Sequence, residues 1–247
     1  MKFLANPLNF KKILISGISL LVLTGGLSPV VFALTYKLQK DQKTVGEYQQ
    51  ITAEKGVTLY EVAENFDIGV GEIAKANPTL NHKPFKEDTE VIIPAIFALP
   101  SGPREGIVLN LANNRLFYFS PDGKEVKTYP VGIGRQGWAT PVGTTNIVDK
   151  IEHPAWHPTP AIRREAESKG ILLPAVVPAG PHNPLGQYAM HLGIPGILIH
   201  GTNTPHTVGL QSSHGCIRMY ADDIKELFSL SEVGTKVRIV YEPHQTD

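Results

Sequence analysis

The chain is predicted to be mainly β with short helices, built as a small β-α-α-β domain followed by a larger β-rich one. Three observations carry this. Glycine and proline number 23 and 20 in 247 residues, a turn-dense composition foreign to helical bundles. Apolar runs are short, rich in Val, Ile, Phe and Tyr, and bounded by turn signals such as Asn113-Asn114 and Pro121-Asp-Gly123. Helical periodicity is confined to brief stretches. With 42% hydrophobic residues the chain can bury a proper core. Its formal net charge is zero, and basic and acidic residues are interspersed without a Lys/Arg stripe, which gives no basis for a nucleic-acid partner.

Residues 1–33 stand apart. Lys2, Lys11 and Lys12 precede the apolar run Ile13 to Leu23, then Gly25, Gly26, Pro29 and Val31-Phe-Ala33. A basic start, a short apolar run and small residues at a cleavage site make a secretory signal peptide, cut after Ala33. An uncleaved anchor is the alternative, but the run is short of the ~20 residues a spanning helix needs. Residues 34–44 are polar, without period, and read as a lead-in.

A compact unit is expected over residues 45–95. Tyr48 to Thr52 alternates as a strand. Leu59, Val62, Ala63 and Phe66 fall at helical spacing behind Thr58, with Glu61 three residues on, a capping box. Val70 to Ala76 is a second short helix, closed by Asn77-Pro78, and Thr89 to Pro94 returns as a strand. A Pro-rich linker is expected from Pro94 to Pro103, and a second domain over 104–242. The pattern Gly56-Val-Thr-Leu59, Val62-Ala63, Phe66, Ile73, Asn77-Pro78 and Val91-Ile-Ile-Pro94 resembles a LysM module. That resemblance implies binding to N-acetylglucosamine-containing glycan of the bacterial wall; a spacer without sugar affinity is the alternative.

From Gly106 the chain turns to strands. Ile107 to Leu111, Arg115 to Phe119 and Val126 to Val131 form an antiparallel meander. Gly132-Ile-Gly-Arg-Gln-Gly137 spells G-x-G-x-x-G, but a dinucleotide site needs a helix at its end. Trp138-Ala-Thr-Pro141-Val-Gly143 reads instead as a turn into a strand over 144–149. Residues 152–187 are Pro-rich, interrupted by one amphipathic helix near Ala161 to Lys169, and their length suits a lid or binding wall. Tyr188 to Leu192 and Gly196 to His200 resume the sheet. A helix over Ala221 to Leu230 and a strand over Lys236 to Val240 close the domain.

The chemistry gathers at Ser213-His-Gly-Cys216-Ile-Arg-Met219, which holds the single cysteine of the chain. An exported protein has no intramolecular use for one thiol in a disulfide. A buried structural cysteine is the plain alternative, but the neighbours point to a nucleophile. Gly215 permits a sharp turn, Arg218 supplies positive charge favouring a thiolate, and His200 or His214 can activate the sulfur as an imidazolium partner. Backbone N–H groups of Gly215 and Cys216 are natural oxyanion donors. A zinc set from His191, His200, His206, His214 and Asp222 is a rival, though no H-E-x-x-H pair occurs.

His200-Gly201 followed by Ser213-His-Gly-Cys216-Ile-Arg-Met219 resembles the signature of L,D-transpeptidases with a YkuD-type catalytic domain. Thr140-Pro-Val-Gly143, Pro174 to Gly180 and Asn183-Pro-Leu-Gly186 extend the likeness. The resemblance implies that Cys216 is the nucleophile, His200 the proton donor and acceptor, and Gly201 its backbone orienter. It further implies that His214 joins them at the catalytic site while Ser213, Gly215 and Arg218 shape the oxyanion and substrate site, with no cofactor and no metal. The implied partners are peptidoglycan stem peptides and glycan, with a small outer-membrane lipoprotein as a possible acceptor, in the periplasm. Hydrolysis of the same bonds and a non-catalytic wall-binding role are the alternatives.

Overall fold

The computed structural model describes residues 11–12 and 35–243. The expected leader lies outside them, apart from Lys11–Lys12. The described residues are mainly β, with four short helices, and none of those helices is long and apolar enough to cross a membrane.

The first two strands belong to different sheets. Strand β1 (Lys11–Lys12) pairs with β3 (Thr44–Ala53), whereas β2 (Thr35–Lys37) forms the far edge of the second domain's sheet. The expected lead-in therefore contains a strand of the larger domain, its three residues too few to show a period. Between β3 and β4 (Thr89–Ala98) lie α1 (Leu59–Asn65) and α2 (Val70–Ala76). The α1 capping box forms as expected: the Glu61 N–H donates to Thr58 Oγ1 at 3.2 Å and the Thr58 N–H to Glu61 Oε2 at 2.7 Å.

The expected linker is partly strand. Pairing of β3 with β4 runs from Ala53 opposite Thr89 to Thr44 opposite Ala98. Val91, Ile93, Ala95 and Phe97 alternate inward along it, a period of two carried past Pro94. Proline is tolerated because β4 is an edge strand and owes no second ladder an N–H.

The larger domain is a nine-stranded sheet. Its strands are β5 (Gly106–Asn110), β6 (Arg115–Phe119), β7 (Glu125–Pro130), β9 (Gly143–Glu152), β10 (Tyr188–Leu192), β11 (Leu198–His200), β13 (Ile217–Arg218) and β14 (Lys236–Val240), with β2. Their order is β13-β11-β10-β9-β14-β5-β6-β7-β2. A separate pair joins β8 (Ile133–Gly134) to β12 (Gln211–Ser213). The helices are α3 (Pro160–Ser168) and α4 (Ala221–Leu230).

Both faces of the central strands are covered. Ile107, Leu109 and Leu116 pack on α4 residues Ile224 and Leu227. Val108, Phe117, Phe119 and Val126 point the other way, into one core with the N-terminal module. Each such side chain contributes about 1.5–3 kcal/mol when fully buried. The module is thus docked on the larger domain's sheet, and a polar seam accompanies the apolar one. Arg115, 1% exposed, donates to Glu72 Oε2 at 2.8 Å and to the Asp67 carbonyl at 3.1 Å. Its guanidinium lies 3.7 Å from the Phe97 ring centroid, and the Tyr220 hydroxyl donates to the Ile68 carbonyl at 3.1 Å.

Candidate active site

The site is built where the central sheet ends. Strands β11 and β13 run parallel, with Ile199 opposite Ile217 and His200 opposite Arg218. Following that register back one step sets Cys216 beside Leu198, whose backbone N–H bonds the sulfur. Alternation then turns Cys216, Arg218, Leu198 and His200 to one face. The thiol also donates to the Gly196 carbonyl at 3.5 Å.

His200 is 4% exposed. Its Nδ1 lies 2.5 Å from the Gly201 carbonyl oxygen, an acceptor, so Nδ1 carries the proton and Nε2 is the basic nitrogen. Gly201 is confined as well: a Cβ there would stand 3.3 Å from both Ile224 Cγ2 and the Leu185 carbonyl oxygen.

Two hydroxyls clamp the turn that presents the sulfur. Ser213 Oγ accepts from the Gly215 N–H at 3.1 Å and donates to the Cys216 carbonyl at 2.6 Å. Thr140 Oγ1 accepts from the Gly134 N–H at 3.0 Å and donates to the Gly215 carbonyl at 2.8 Å. Gly215 itself has φ +104°, and an added Cβ would meet Ile197 Cδ1 at 3.2 Å. An L-residue is strained there whatever the space. The Gly215 N–H, one of two expected oxyanion donors, is thus already engaged by Ser213, which leaves the Cys216 N–H as the member of the pair free of that clamp.

Electrostatically the pair differs from a thiolate–imidazolium expectation. Burial pushes the Cys216 thiol above its usual range, against the opposing pull of the Leu198 N–H and then Arg218. Burial likewise lowers His200 to about 4, with Arg218 adding to the effect and the Gly201 hydrogen bond opposing it. Desolvation outweighs the favourable contacts on both groups, so the resting pair is neutral thiol and neutral imidazole.

The remaining residues form the wall. His214 turns away from the sheet and stands edge-on to Trp138, ring centroids 4.8 Å apart. Its Nε2 is 3.0 Å from Glu165 Oε2 on α3 and 3.1 Å from Arg135 Nη2. Arg218 reaches Thr207 Oγ1 at 3.4 Å. The G-x-G-x-x-G stretch enters no helix: β8 gives way to a turn closed by the Trp138 N–H on the Arg135 carbonyl at 2.8 Å, and the stretch supplies Arg135 to this wall. Arg135, Thr140 and Glu165 were not singled out by residue type. Only the Thr140-Pro-Val-Gly143 likeness offered a signal. Among the described residues, no group of three or more His, Cys, Asp or Glu side chains is placed to hold a metal ion.

The YkuD family model, described as the L,D-transpeptidase catalytic domain, matches residues 104–239. The chain is 41% identical over 206 residues to the probable L,D-transpeptidase YcfS of Escherichia coli K12, covering 81% of this chain and 64% of that protein. It is 40% identical over 222 residues to the probable L,D-transpeptidase YbiS of the same strain, covering 88% and 72%. The chain therefore spans roughly two thirds of the length of these relatives. The catalytic domain of an Enterococcus faecium L,D-transpeptidase is a structural match at 24% identity and TM-score 0.42, covering 55% of this chain and 96% of that one. On the family match and the identity to these relatives, the chain belongs to the L,D-transpeptidase family, with its YkuD catalytic domain at residues 104–239.

Proposed function

We propose that the protein is a peptidoglycan L,D-transpeptidase in which Cys216 is acylated by a tetrapeptide stem and passes the acyl group to an amine. The observation that carries this reading is the β11/β13 register, which puts the only thiol of the chain on one face with a histidine whose Nδ1 is committed to Gly201. His200 Nε2 takes the thiol proton as sulfur attacks the carbonyl of the third stem residue. The Cys216 N–H faces the developing oxyanion. The tetrahedral species collapses with cleavage of the C–N bond, and the imidazolium returns its proton to the departing D-Ala amine. An acceptor amine then loses a proton to His200, attacks the thioester, and sulfur leaves to regain the thiol proton.

A neutral resting pair suits this cycle. An imidazolium with a pKa near 4 is a strong acid toward a leaving amine, and the thiol ionises only as proton transfer to His200 proceeds. Ser213, Thr140 and Gly215 hold the geometry; His214 and Arg218 line the site.

The same reading takes residues 45–95 as a LysM-like glycan-binding module, residues 1–33 as a cleaved export signal and the periplasm as the compartment. The acceptor is a diaminopimelate side chain or a lipoprotein lysine. Intact-mass spectrometry of the full chain with a disaccharide-tetrapeptide tests the chemistry. An adduct that forms with D-Ala release, disappears in Cys216→Ala and partitions to a cross-linked product on adding an amine is expected. An adduct that yields only tripeptide would make the enzyme a hydrolase, and no adduct with no D-Ala would sink the reading.

A further inference from the structure

Glu165 is the one side chain of α3 that grips the catalytic turn. The helix buries none of its residues, yet Glu165 accepts from Arg135 Nη2 at 2.5 and 2.6 Å, from Lys169 Nζ at 2.5 Å, and meets His214 Nε2 at 3.0 Å. Arg135 hydrogen-bonds to it first, then Lys169, and they hold its carboxyl down at about 2. It is an anion at any working pH.

We propose that Arg135 and His214 form a seat for the terminal carboxylate of the peptide substrate, one residue beyond the scissile carbonyl, and that Glu165 is an internal ligand exchanged for it. The ligand's identity rests on the acyl-transfer reading above; the seat itself rests on geometry.

Four features make the seat exchangeable. Both Arg135 contacts come from Nη2 alone, so Glu165 does not use the two-nitrogen fork that a carboxylate fits best. Arg135 lies over the Trp138 ring, 5.9 Å from its centroid, and His214 meets the same ring in a T-shaped contact, so each has a contact besides Glu165. His214 Nε2 can donate to Glu165 in one tautomer and accept from Arg135 in the other, and it retains a partner whether α3 is down or lifted. Lys169 lies one turn along the same helix, so a displaced Glu165 carries its own counter-charge away with it. The seat is also close to the chemistry: His214 is two residues from Cys216, and the Arg135 N–H donates to the Ser213 carbonyl at 3.0 Å.

The test is equilibrium binding to the full chain carrying Cys216→Ala, titrated by calorimetry with the stem tetrapeptide as free acid and as terminal carboxamide. The acid is expected to bind roughly tenfold tighter, as a charge-assisted bidentate contact allows. Adding Arg135→Ala should erase that difference while sparing the amide, and Arg135→Lys, which keeps the charge, should retain part of it. Adding Glu165→Gln should tighten the acid several-fold and leave the amide unchanged. Equal affinities for acid and amide, an unchanged preference in Arg135→Ala, or weaker acid binding in Glu165→Gln would each overturn the seat. Acylation of the unmutated chain is followed in parallel. A lost preference with acylation intact refutes the seat alone, and a preference without acylation refutes the acyl-transfer reading alone.

Discussion

His200 Nδ1 donates to the carbonyl of Gly201, its own neighbour in the chain, at 2.5 Å. The contact fixes the tautomer without introducing a carboxylate, so only backbone carbonyls, Gly201 and then Leu185, favour an imidazolium, and burial outweighs them. Burial accordingly lowers His200 to about 4. The acid limb of the acylation rate should fall near pH 4 instead of the ordinary histidine range around 6.5. Acyl-enzyme formation measured by intact mass between pH 3.5 and 8, with circular dichroism to confirm folding, checks this. A limb near 6.5 assigned to His200 by ring-proton titration would show that a charged partner stabilises the imidazolium.

Ser213 and Thr140 each serve two backbone groups of the turn that presents Cys216. Thr140→Val keeps the shape and strands the Gly134 N–H and the Gly215 carbonyl. Leaving buried polar groups unmatched costs about 1–3 kcal/mol. The turn should loosen, with kcat for acylation falling roughly tenfold or more while KM changes less. Ser213→Ala should behave alike, since it frees the Gly215 N–H and the Cys216 carbonyl. A Thr140→Val variant with full acylation rate and unchanged melting temperature would remove the clamp from the mechanism.

Asp67 of the module and Asp223 of α4 face each other across the docking seam. Burial first, then their mutual proximity, raise Asp223 well above the ordinary carboxylate range. Burial raises Asp67 to about 6, with the Asp223 hydrogen bond and Arg115 opposing and Glu226 and Asp222 adding to the rise. Groups raised in the folded state stabilise it fully below their unfolded value near 4, and that stabilisation is lost as pH rises through the folded values. Asp223→Asn removes the titration. It should raise the melting temperature at pH 7–8, with the difference shrinking below pH 5. A difference that is flat between pH 4.5 and 8 would show that burial beside Asp67 does not raise Asp223.

Much of this was legible from residue types. The Thr58/Glu61 capping box, the short helices and the closing α4 follow from local spacing, and the Cys216 turn announces itself through a lone thiol beside Gly215. Expected α3, Ala161 to Lys169, lies within one residue of the observed helix. The rest depends on tertiary context. Arg135 was hidden inside a glycine motif whose usual meaning fails, and Glu165 sits on a helix whose polar face reads as solvent. The docked module was missed because Ile107-Val-Leu109 and Leu116-Phe-Tyr-Phe119 are apolar on successive residues. That pattern marks a sheet covered on both faces, but it does not say by what.

That two-sided cover makes the module inseparable from the enzyme. Removing residues 45–98 would expose Val108, Phe117, Phe119 and Val126 together, an apolar patch of the kind that drives aggregation. It would also remove the module groups that meet Arg115, namely Glu72, the Asp67 carbonyl and the Phe97 ring. The deleted protein should therefore aggregate or unfold and lose acylation, although no catalytic side chain has gone. Glu72→Gln, which removes only the carboxylate charge, should destabilise the intact chain, and Arg115→Met in the same chain should recover part of that loss because no unpaired charge remains. Melting temperatures of the single and double variants, with sedimentation of the deletion product, check both. A soluble, monomeric and active deletion product would mean that the shared core contributes little to the catalytic domain.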